Sequence, residues 1–193
     1  MNLYSKPDQK EHIEVQIEIY QKILDIFLSD DDLLNRIMEF GYDIERLNEG
    51  LLLCNETYQL VREARNEVTL SLVAYDKLAE LKELAKSSFY ENYRLARMIF
   101  VNQPTLASRL GLEDESTFPE AFFGKANRFY HVALTHKEIL NLFKTYGVDQ
   151  NRLVEGLELI HKIPGAKHTQ RKTRYLASLA AHKRDEVILR FES

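Results

Sequence analysis

Residues that turn or interrupt a chain are scarce in this sequence, which has seven glycines and four prolines among 193 residues. A chain with so few turns must form long elements, and the sequence therefore predicts long helices. Its one cysteine, Cys54, excludes an intramolecular disulfide and is typical of a reducing cytosol. The glycines stand apart from one another, so the glycine-rich loops that hold phosphate groups are absent.

Signals for export or for a membrane are also missing. Residues 1–10 are polar and charged, and the longest apolar run near them is far shorter than the roughly 20 residues of a membrane helix. The apolar and charged fractions, 45% and 29%, are those of ordinary globular proteins. We therefore expect a cytoplasmic protein that does not cross a membrane.

Charge is divided unevenly between the two ends. Residues 1–32 carry three lysines against eight acidic residues, whereas residues 162–193 carry eight basic residues against three acidic ones. These ends are expected to attract each other within the fold or between subunits. The alternative is a nucleic-acid face with Tyr175 as its single stacking ring. Its basic patch comprises Lys167, Arg171, Lys172, Arg174, Lys183 and Arg184.

The strongest pattern is an internal repeat, in which residues 34–53 align with residues 140–159 at an offset of 106. Ten of the 20 positions are identical, whereas chance gives about one, so the pattern indicates a duplication. The identical pairs are Leu34/Leu140, Asn35/Asn141, Gly41/Gly147, Asp43/Asp149, Arg46/Arg152, Leu47/Leu153, Glu49/Glu155, Gly50/Gly156, Leu51/Leu157 and Leu53/Leu159.

Each copy contains the signals of a helix–turn–helix hairpin. Gly41 and Gly147 each follow an apolar helical pattern and can adopt the left-handed conformation that ends a helix. Two residues later, Asp43 and Asp149 are suited to cap the next helix. Before the first turn, the apolar spacing predicts one helix over residues 10–40.

The helices that follow the two turns are expected to be long. Apolar residues after the first turn recur every 3.5 residues, as in coiled-coil packing, and whether the helix over 44–101 is continuous is left open. In the second copy, Pro164–Gly165 predicts a kink or a break. Thr117 and Glu120 predict a capping box at the start of the second unit.

Together these patterns predict an all-α fold: an antiparallel long-helix bundle of two tandem αα-hairpin repeats, with four main helices in up-down-up-down order. The predicted hairpin units are residues 1–101 and 118–193. Residues 102–117 are predicted to form a linker with a short helical turn. Neither hairpin can bury its apolar face alone, so the two units are expected to pack as one domain.

Side chains that carry chemistry in helical bundles form no strong constellation. Glu158 and His161 are a single match to the Glu-x-x-His motif of di-metal bundles, but their repeat counterparts, Leu52 and Asn55, cannot bind metal. They are weak metal candidates, and we predict no catalytic residue and no cofactor. Cys54 lies on the apolar seam, which favours a buried structural thiol.

Polar residues that are identical in both copies form a candidate interaction surface. Their spacing of three places them along one face at the start of each helix. They are Asp43, Arg46 and Glu49 in the first copy, and Asp149, Arg152 and Glu155 in the second. A helix cap with a local ion pair is the favoured interpretation, and a pseudo-symmetric binding surface is the alternative. Gly50 and Gly156, inside predicted helices, indicate a close approach of two helices.

Several short motifs carry a family resemblance. They are Tyr42-Asp43, Arg46-Leu47, Glu49-Gly50, Ala96-Arg97-Met98, Leu110-Gly111-Leu112, Phe129-Tyr130, Tyr146-Gly147, Leu153 and Gly156. In these the chain resembles a bacterial family of duplicated long-helix proteins with no established activity. The resemblance implies a fold of long helices, and it implies no catalytic residue and no ligand.

Three functional hypotheses follow from the sequence. The first is a non-enzymatic helical interaction or scaffold module that binds protein and self-associates as a homo-oligomer. It follows from amphipathic helices without catalytic constellations and from the opposite charge of the two ends. The second is a small-molecule-binding or metal-binding bundle, and the third is nucleic-acid binding through the basic patch.

Overall fold

A computed structural model describes residues 7–113 and 119–191, with side chains over 13–113 and 122–191. About 90% of these residues are helical and none of them is in a strand, which confirms the predicted all-α class. The described helices are α1 (Pro7–Ser29), α2 (Asp31–Glu39), α3 (Ile44–Ile99), α4 (Pro104–Leu110), α5 (Pro119–Thr135), α6 (Lys137–Thr145) and α7 (Gln150–Phe191). None of these seven is long and apolar enough to cross a lipid bilayer.

The single helix expected over residues 10–40 is wrong, because the chain divides at Asp30 into α1 and α2. One carboxylate oxygen of Asp30 accepts hydrogen bonds from the backbone N–H groups of Asp32 and Leu33, both at 3.0 Å. Such an N-cap starts a new helix. The apolar spacing continues across the cap, so periodicity alone does not reveal the division.

Helix boundaries recur at the offset of the sequence repeat. The paired boundaries, each 106 positions apart, are the ends of α1 and α5 at Ser29 and Thr135, both ends of α2 and α6, and the starts of α3 and α7 at Ile44 and Gln150. The division before α6 falls at His136, whose side chain makes no capping hydrogen bond. The capping box predicted at Thr117 and Glu120 lies outside the described side chains.

The two long helices are unbroken. Helix α3 runs for 56 residues, and α7 runs for 42 residues with Pro164 inside it. Of the two outcomes expected at Pro164–Gly165, the break is therefore wrong, and the kink stays a prediction. A proline inside a helix costs about 3 kcal/mol or more, because it removes a hydrogen bond. Here Ile160 and Ile163 on the same helix are buried, which offsets that cost. Pro164 itself is exposed.

The described chain forms two compact units. Unit 1 comprises residues up to Ser71 and those from Lys172 onward, and unit 2 comprises Leu72–Arg171. Unit 1 therefore contains α1, α2, the first half of α3 and the end of α7. These units differ from the sequence-based division at residues 102–117, which follows the duplication and stays a prediction. Helix α4 lies within that linker and ends at Leu110, with Gly111 as its left-handed C-cap.

The core of unit 1 is small. Its hydrophobic cluster has Ile17 of α1 with Cys54 and Val61 of α3 as buried members. Leu47, Ala64 and Val187 are also buried in this unit. Partly buried side chains from α1, α3 and the end of α7 surround the cluster: Ile13, Leu24, Tyr58, Ile188 and Phe191. The ring of Phe191 meets that of Tyr20 edge-on, with centroids 5.5 Å apart. The end of α7 thus packs against the first hairpin.

The core of unit 2 is larger and rich in aromatic rings. Phe89 of α3 meets Phe122 and Phe129 of α5 at centroid distances of 5.4 and 5.5 Å, in nearly perpendicular arrangements. Phe100 meets Phe143 of α6 at 5.4 Å. Edge-to-face contacts of this kind add to the stabilisation from buried area. The second half of α3 therefore covers the hairpin formed by α5, α6 and the start of α7.

Candidate interaction surface

The two hairpin turns have the geometry that their sequence predicts. Gly41 and Gly147 have φ angles of 86° and 78°, in the left-handed region that favours glycine. The Asp43 carboxylate accepts a hydrogen bond from the Arg46 N–H at 2.8 Å. The Asp149 carboxylate accepts one from the N–H of Asn151 at 3.3 Å. Both predicted caps are confirmed.

The arginines of the candidate interaction surface have different partners in the two copies. Arg46 donates to the carbonyl oxygen of Gly41 at 3.1 Å. Arg152 instead donates through Nε to Asn92 Oδ1 at 2.8 Å and through Nη2 to Glu91 Oε2 at 3.1 Å. In the described chain neither arginine pairs with the acidic residue three positions away, so the expected local ion pair does not form. Arg152 bonds to a distant helix instead.

Both helix-interior glycines permit close packing, as predicted, but to different degrees. A Cβ atom at Gly50 would lie 3.4 Å from the nearest atom of Leu24, an ordinary contact. A Cβ atom at Gly156 would lie 2.3 Å from the ring of Tyr130, which is too close for any side chain. The Tyr130 ring is fully buried. Glycine at position 156 is therefore required by packing, and glycine at position 50 is not.

A buried polar network explains why Tyr130 occupies this place. Its hydroxyl lies 3.2 Å from Asn92 Nδ2 and 3.3 Å from Ser88 Oγ, and Asn92 Oδ1 accepts the bond from Arg152 described above. The Asn92 side chain is fully buried, and hydrogen bonds at both of its polar atoms remove the cost of burying them. The sequence signal for this network is a polar residue, Asn92, three positions after Phe89 and four before Ala96 on the same helix face. The network joins α3, α5 and α7 inside unit 2.

An exposed apolar stripe lies along α1. It comprises Val15, Ile19, Ile23 and Ile26, which are between 39% and 54% exposed. Spacings of four, four and three residues place them on one face of the helix. The opposite face of α1, with Ile17 and Leu24, packs into the core. We call these four residues the α1 stripe. Its sequence signal is a helix with apolar residues on two faces.

Further apolar side chains are exposed around the first hairpin turn. Phe40 is 80% exposed, and Tyr42 and Ile44 are also exposed. At the position equivalent to Tyr42 in the second copy, Val148 is buried. Exposed apolar groups that lie close together are typical of surfaces that bind other proteins. The first hairpin thus carries more uncovered apolar surface than its counterpart.

The weak metal candidates have other partners. Glu158 Oε2 lies 3.8 Å from Lys162 Nζ, and His161 Nε2 lies 3.0 Å from Asn127 Oδ1. Over the described ranges, no three His, Cys, Asp or Glu side chains lie close enough together to hold a metal ion. The geometry thus brings no further ligand to this pair.

The basic residues of α7 are mostly solvated. Five of the six in the basic patch are exposed, and Arg184 is half-buried. The Nε atom of Arg184 lies 2.8 Å from the Asp185 carboxylate, so its charge is partly neutralised. Tyr175 remains the aromatic residue available among them, and it is exposed. Nothing in this arrangement adds to the nucleic-acid hypothesis.

The single cysteine, Cys54, is a further candidate for a reactive group. The Cys54 thiol is free and buried, as predicted, and burial raises its pKa. Such a thiol is a poor nucleophile, because the thiolate is the reactive form.

An open cleft of about 320 Å³ lies beside α4, lined by Gln103, Pro104, Thr105, Leu106, Arg109 and Glu138.

Comparisons with known proteins add no relative: no family model, no curated protein and no solved structure matches this chain. The resemblance to a bacterial family of duplicated long-helix proteins therefore stays a prediction.

Proposed function

We propose that this protein is a non-enzymatic helical interaction module that self-associates as a homo-oligomer. The α1 stripe carries the proposal. Its four apolar side chains face solvent together, and burying them against another surface removes apolar area from water. The exposed Phe40 and Tyr42 extend the apolar surface of the same hairpin.

The same proposal includes the order of the main helices and the cellular location of the protein. We propose two tandem hairpins of one ancestral unit, with four main helices in up-down-up-down order, in which α1–α2 and α5–α6 each replace one main helix. The recurrence of helix boundaries at an offset of 106 supports this arrangement. A bacterial cytoplasm is the proposed location, since the single thiol, Cys54, is free and buried.

Native mass spectrometry of the untagged protein, together with sedimentation velocity at rising concentration, tests the proposal. We expect masses at multiples of 22.6 kDa that increase with concentration. A protein that remains at 22.6 kDa at every concentration contradicts self-association. Extra mass from a small molecule, a metal or nucleic acid would instead favour one of the two alternative functions.

A further inference from the structure

We propose that a second copy of this chain covers the α1 stripe, with the two α1 helices antiparallel about a two-fold axis at residue 20. The inference rests on the proposed self-association and names its surface. The stripe extends from Val15 to Ile26, which is about 17 Å at 1.5 Å per residue. A two-fold axis places the same stripe on both partners, so each chain buries its apolar residues against those of the other.

The equivalent face of the second hairpin already receives a helix. Ile19, Ile23 and Ile26 correspond to Lys125, Phe129 and Val132, 106 positions later. Tyr93 of α3 lies beside two of these: its ring centroid is 6.0 Å from that of Phe129 and 4.8 Å from Lys125 Nζ. Phe129 is completely buried as a result, whereas Ile23 is exposed. This face of the hairpin is therefore a helix-packing face, and in unit 1 it is open.

Charges beside the stripe favour a second copy as the occupant. Glu18 and Lys22 each precede a stripe residue by one position, so both lie on the same edge of α1. Both are exposed, and neither forms an ion pair within the described chain. When two helices pack antiparallel, the same edge of each helix meets that of the other. Glu18 of each chain then meets Lys22 of the other, so the edge is complementary to itself.

The position of the axis follows from this pairing. Glu18 and Lys22 are equally distant from residue 20, so an axis there brings them to the same height. Glu14 and Asp25 also precede stripe residues by one position, and this register brings Asp25 of one chain within one residue, about 1.5 Å along the axis, of Glu14 of the other. The Glu14 carboxylate is already paired with Arg65 at 2.9 Å. The register also places Ile19 and Ile23 of each chain between two stripe residues of the partner, whereas Val15 of one chain lies within one residue of Ile26 of the other. The interdigitation of Ile19 and Ile23 and the pairing of Glu18 with Lys22 therefore favour the same register.

The size of this contact predicts a reversible dimer. Four half-exposed side chains per chain bury less than the roughly 800 Å² per partner of a standard specific interface, so this contact belongs with the weak, transient interfaces. We therefore expect association at micromolar or higher concentrations. Charged edges are screened by salt, so the affinity is expected to fall as ionic strength rises.

A charge-swap experiment tests the register. We expect Glu18→Lys or Lys22→Glu alone to weaken dimerisation about tenfold at low salt, because each replaces two attractive contacts with two repulsive ones. The double variant Glu18→Lys/Lys22→Glu should regain the wild-type affinity. A mixture of the two single variants should form heterodimers in preference to either homodimer. A double variant as weak as the single variants overturns the proposed pairing.

Substitution within the stripe separates this inference from the proposed function. Ile19→Asp should weaken self-association at least about 100-fold, since it buries like charges at the centre of the interface. Leu84→Asp, at an exposed apolar position of α3 in unit 2, is the matched control and should leave self-association unchanged. Circular dichroism would check that both variants stay folded.

The outcomes distinguish the two proposals. A wild-type chain that associates while Ile19→Asp associates equally well overturns the α1 interface and leaves self-association standing. A wild-type chain that is monomeric at every concentration overturns both, and leaves the stripe to a different polypeptide.

Discussion

Helices α2 and α6 have the same length and equivalent positions in the two sequence copies, yet they are covered differently. Each has nine residues and leads to a left-handed glycine. In α6, Ile139 and Phe143 are completely buried, whereas no residue of α2 is buried. Phe100 packs on Phe143, whereas Ile37, at the position equivalent to Phe143, is only half-buried. One hairpin sequence pattern thus gives a core helix in one copy and a surface helix in the other.

This difference shows that the formation of a hairpin and its burial have separate causes. The turns depend on local chemistry, and both copies form them with the same glycine and aspartate. The burial of each hairpin depends on which other segments of the chain pack against it. The second half of α3 supplies aromatic rings and Asn92 to the second hairpin, whereas the end of α7 supplies Ile188 and Phe191 to the first. Matched substitutions in the two copies can measure the difference.

The largest expected difference is between Phe143→Ala and Ile37→Ala. Phe143→Ala opens a cavity in a closed core and should destabilise the protein by about 3–5 kcal/mol. Ile37→Ala, at a half-buried position, should cost about 1 kcal/mol or less. Chemical unfolding, followed by circular dichroism, gives both values. Equal costs at the two positions would show that the first hairpin is as well covered as the second.

A second pair compares the glycines. Gly156→Ala forces a methyl group into the buried Tyr130 ring and should cost about 3 kcal/mol, despite the better helix propensity of alanine. Gly50→Ala meets only an ordinary contact with Leu24 and should stabilise the protein by up to about 1 kcal/mol. Thermal unfolding of both variants checks the opposite signs. A neutral Gly156→Ala would mean that the helices can separate without loss.

Substitutions of Arg152 and Arg46 are expected to show a smaller difference in stability. Arg152→Ala leaves the oxygen of the buried Asn92 amide without its donor and should cost about 1–3 kcal/mol. Arg46→Ala removes an exposed bond to a carbonyl and should cost no more than about 0.5 kcal/mol. Combining Arg152→Ala with Asn92→Ala tests the mechanism, because coupled residues should cost less together than the sum of the single changes.

The smallest expected effect concerns pH. Burial raises the pKa of Cys54 above its ordinary value of 9.0, so the folded state favours the neutral thiol. Stability from this group is complete below pH 9.0 and falls as the pH rises further, because the unfolded chain loses the proton first. The slope is at most about 1.4 kcal/mol per pH unit. Unfolding at pH 8 to 10.5 should show a shallower decline for Cys54→Ala than for wild type, and identical slopes would contradict a buried thiol.

Much of the local structure could be predicted because its causes lie within a few residues. The left-handed turns at Gly41 and Gly147 and the caps at Asp43 and Asp149 follow from conformational freedom and hydrogen-bonding capacity. Burial of Cys54 follows from its place on an apolar seam. The same local logic was incomplete at Asp30, where a cap lies inside an uninterrupted apolar pattern. It was also incomplete at Pro164, where a kink or a break was expected and the helix is not broken.

The exposure of the α1 stripe and the partners of the two arginines could not be predicted from the sequence, because they depend on which helix packs nearby. The α1 stripe could be found in the sequence as a second apolar face, but its exposure could not, because Phe129 occupies the equivalent position and is buried. The roles of Arg46 and Arg152 also differ, although the residues are identical. Only Arg152 lies within reach of Asn92 and Glu91.

By itself, the sequence determined an all-α chain, the turns of two hairpins and the positions of the glycines, since helix propensity, capping and left-handed backbone conformation act over one or two helical turns. Tertiary structure decided which copy is covered, which glycine is indispensable and where apolar surface stays in contact with water. Those outcomes depend on contacts between residues far apart in the sequence, such as Asn92 and Arg152, which are 60 positions apart. Residues identical in both copies therefore have different environments, because burial depends on the opposing helix and not on the residue alone.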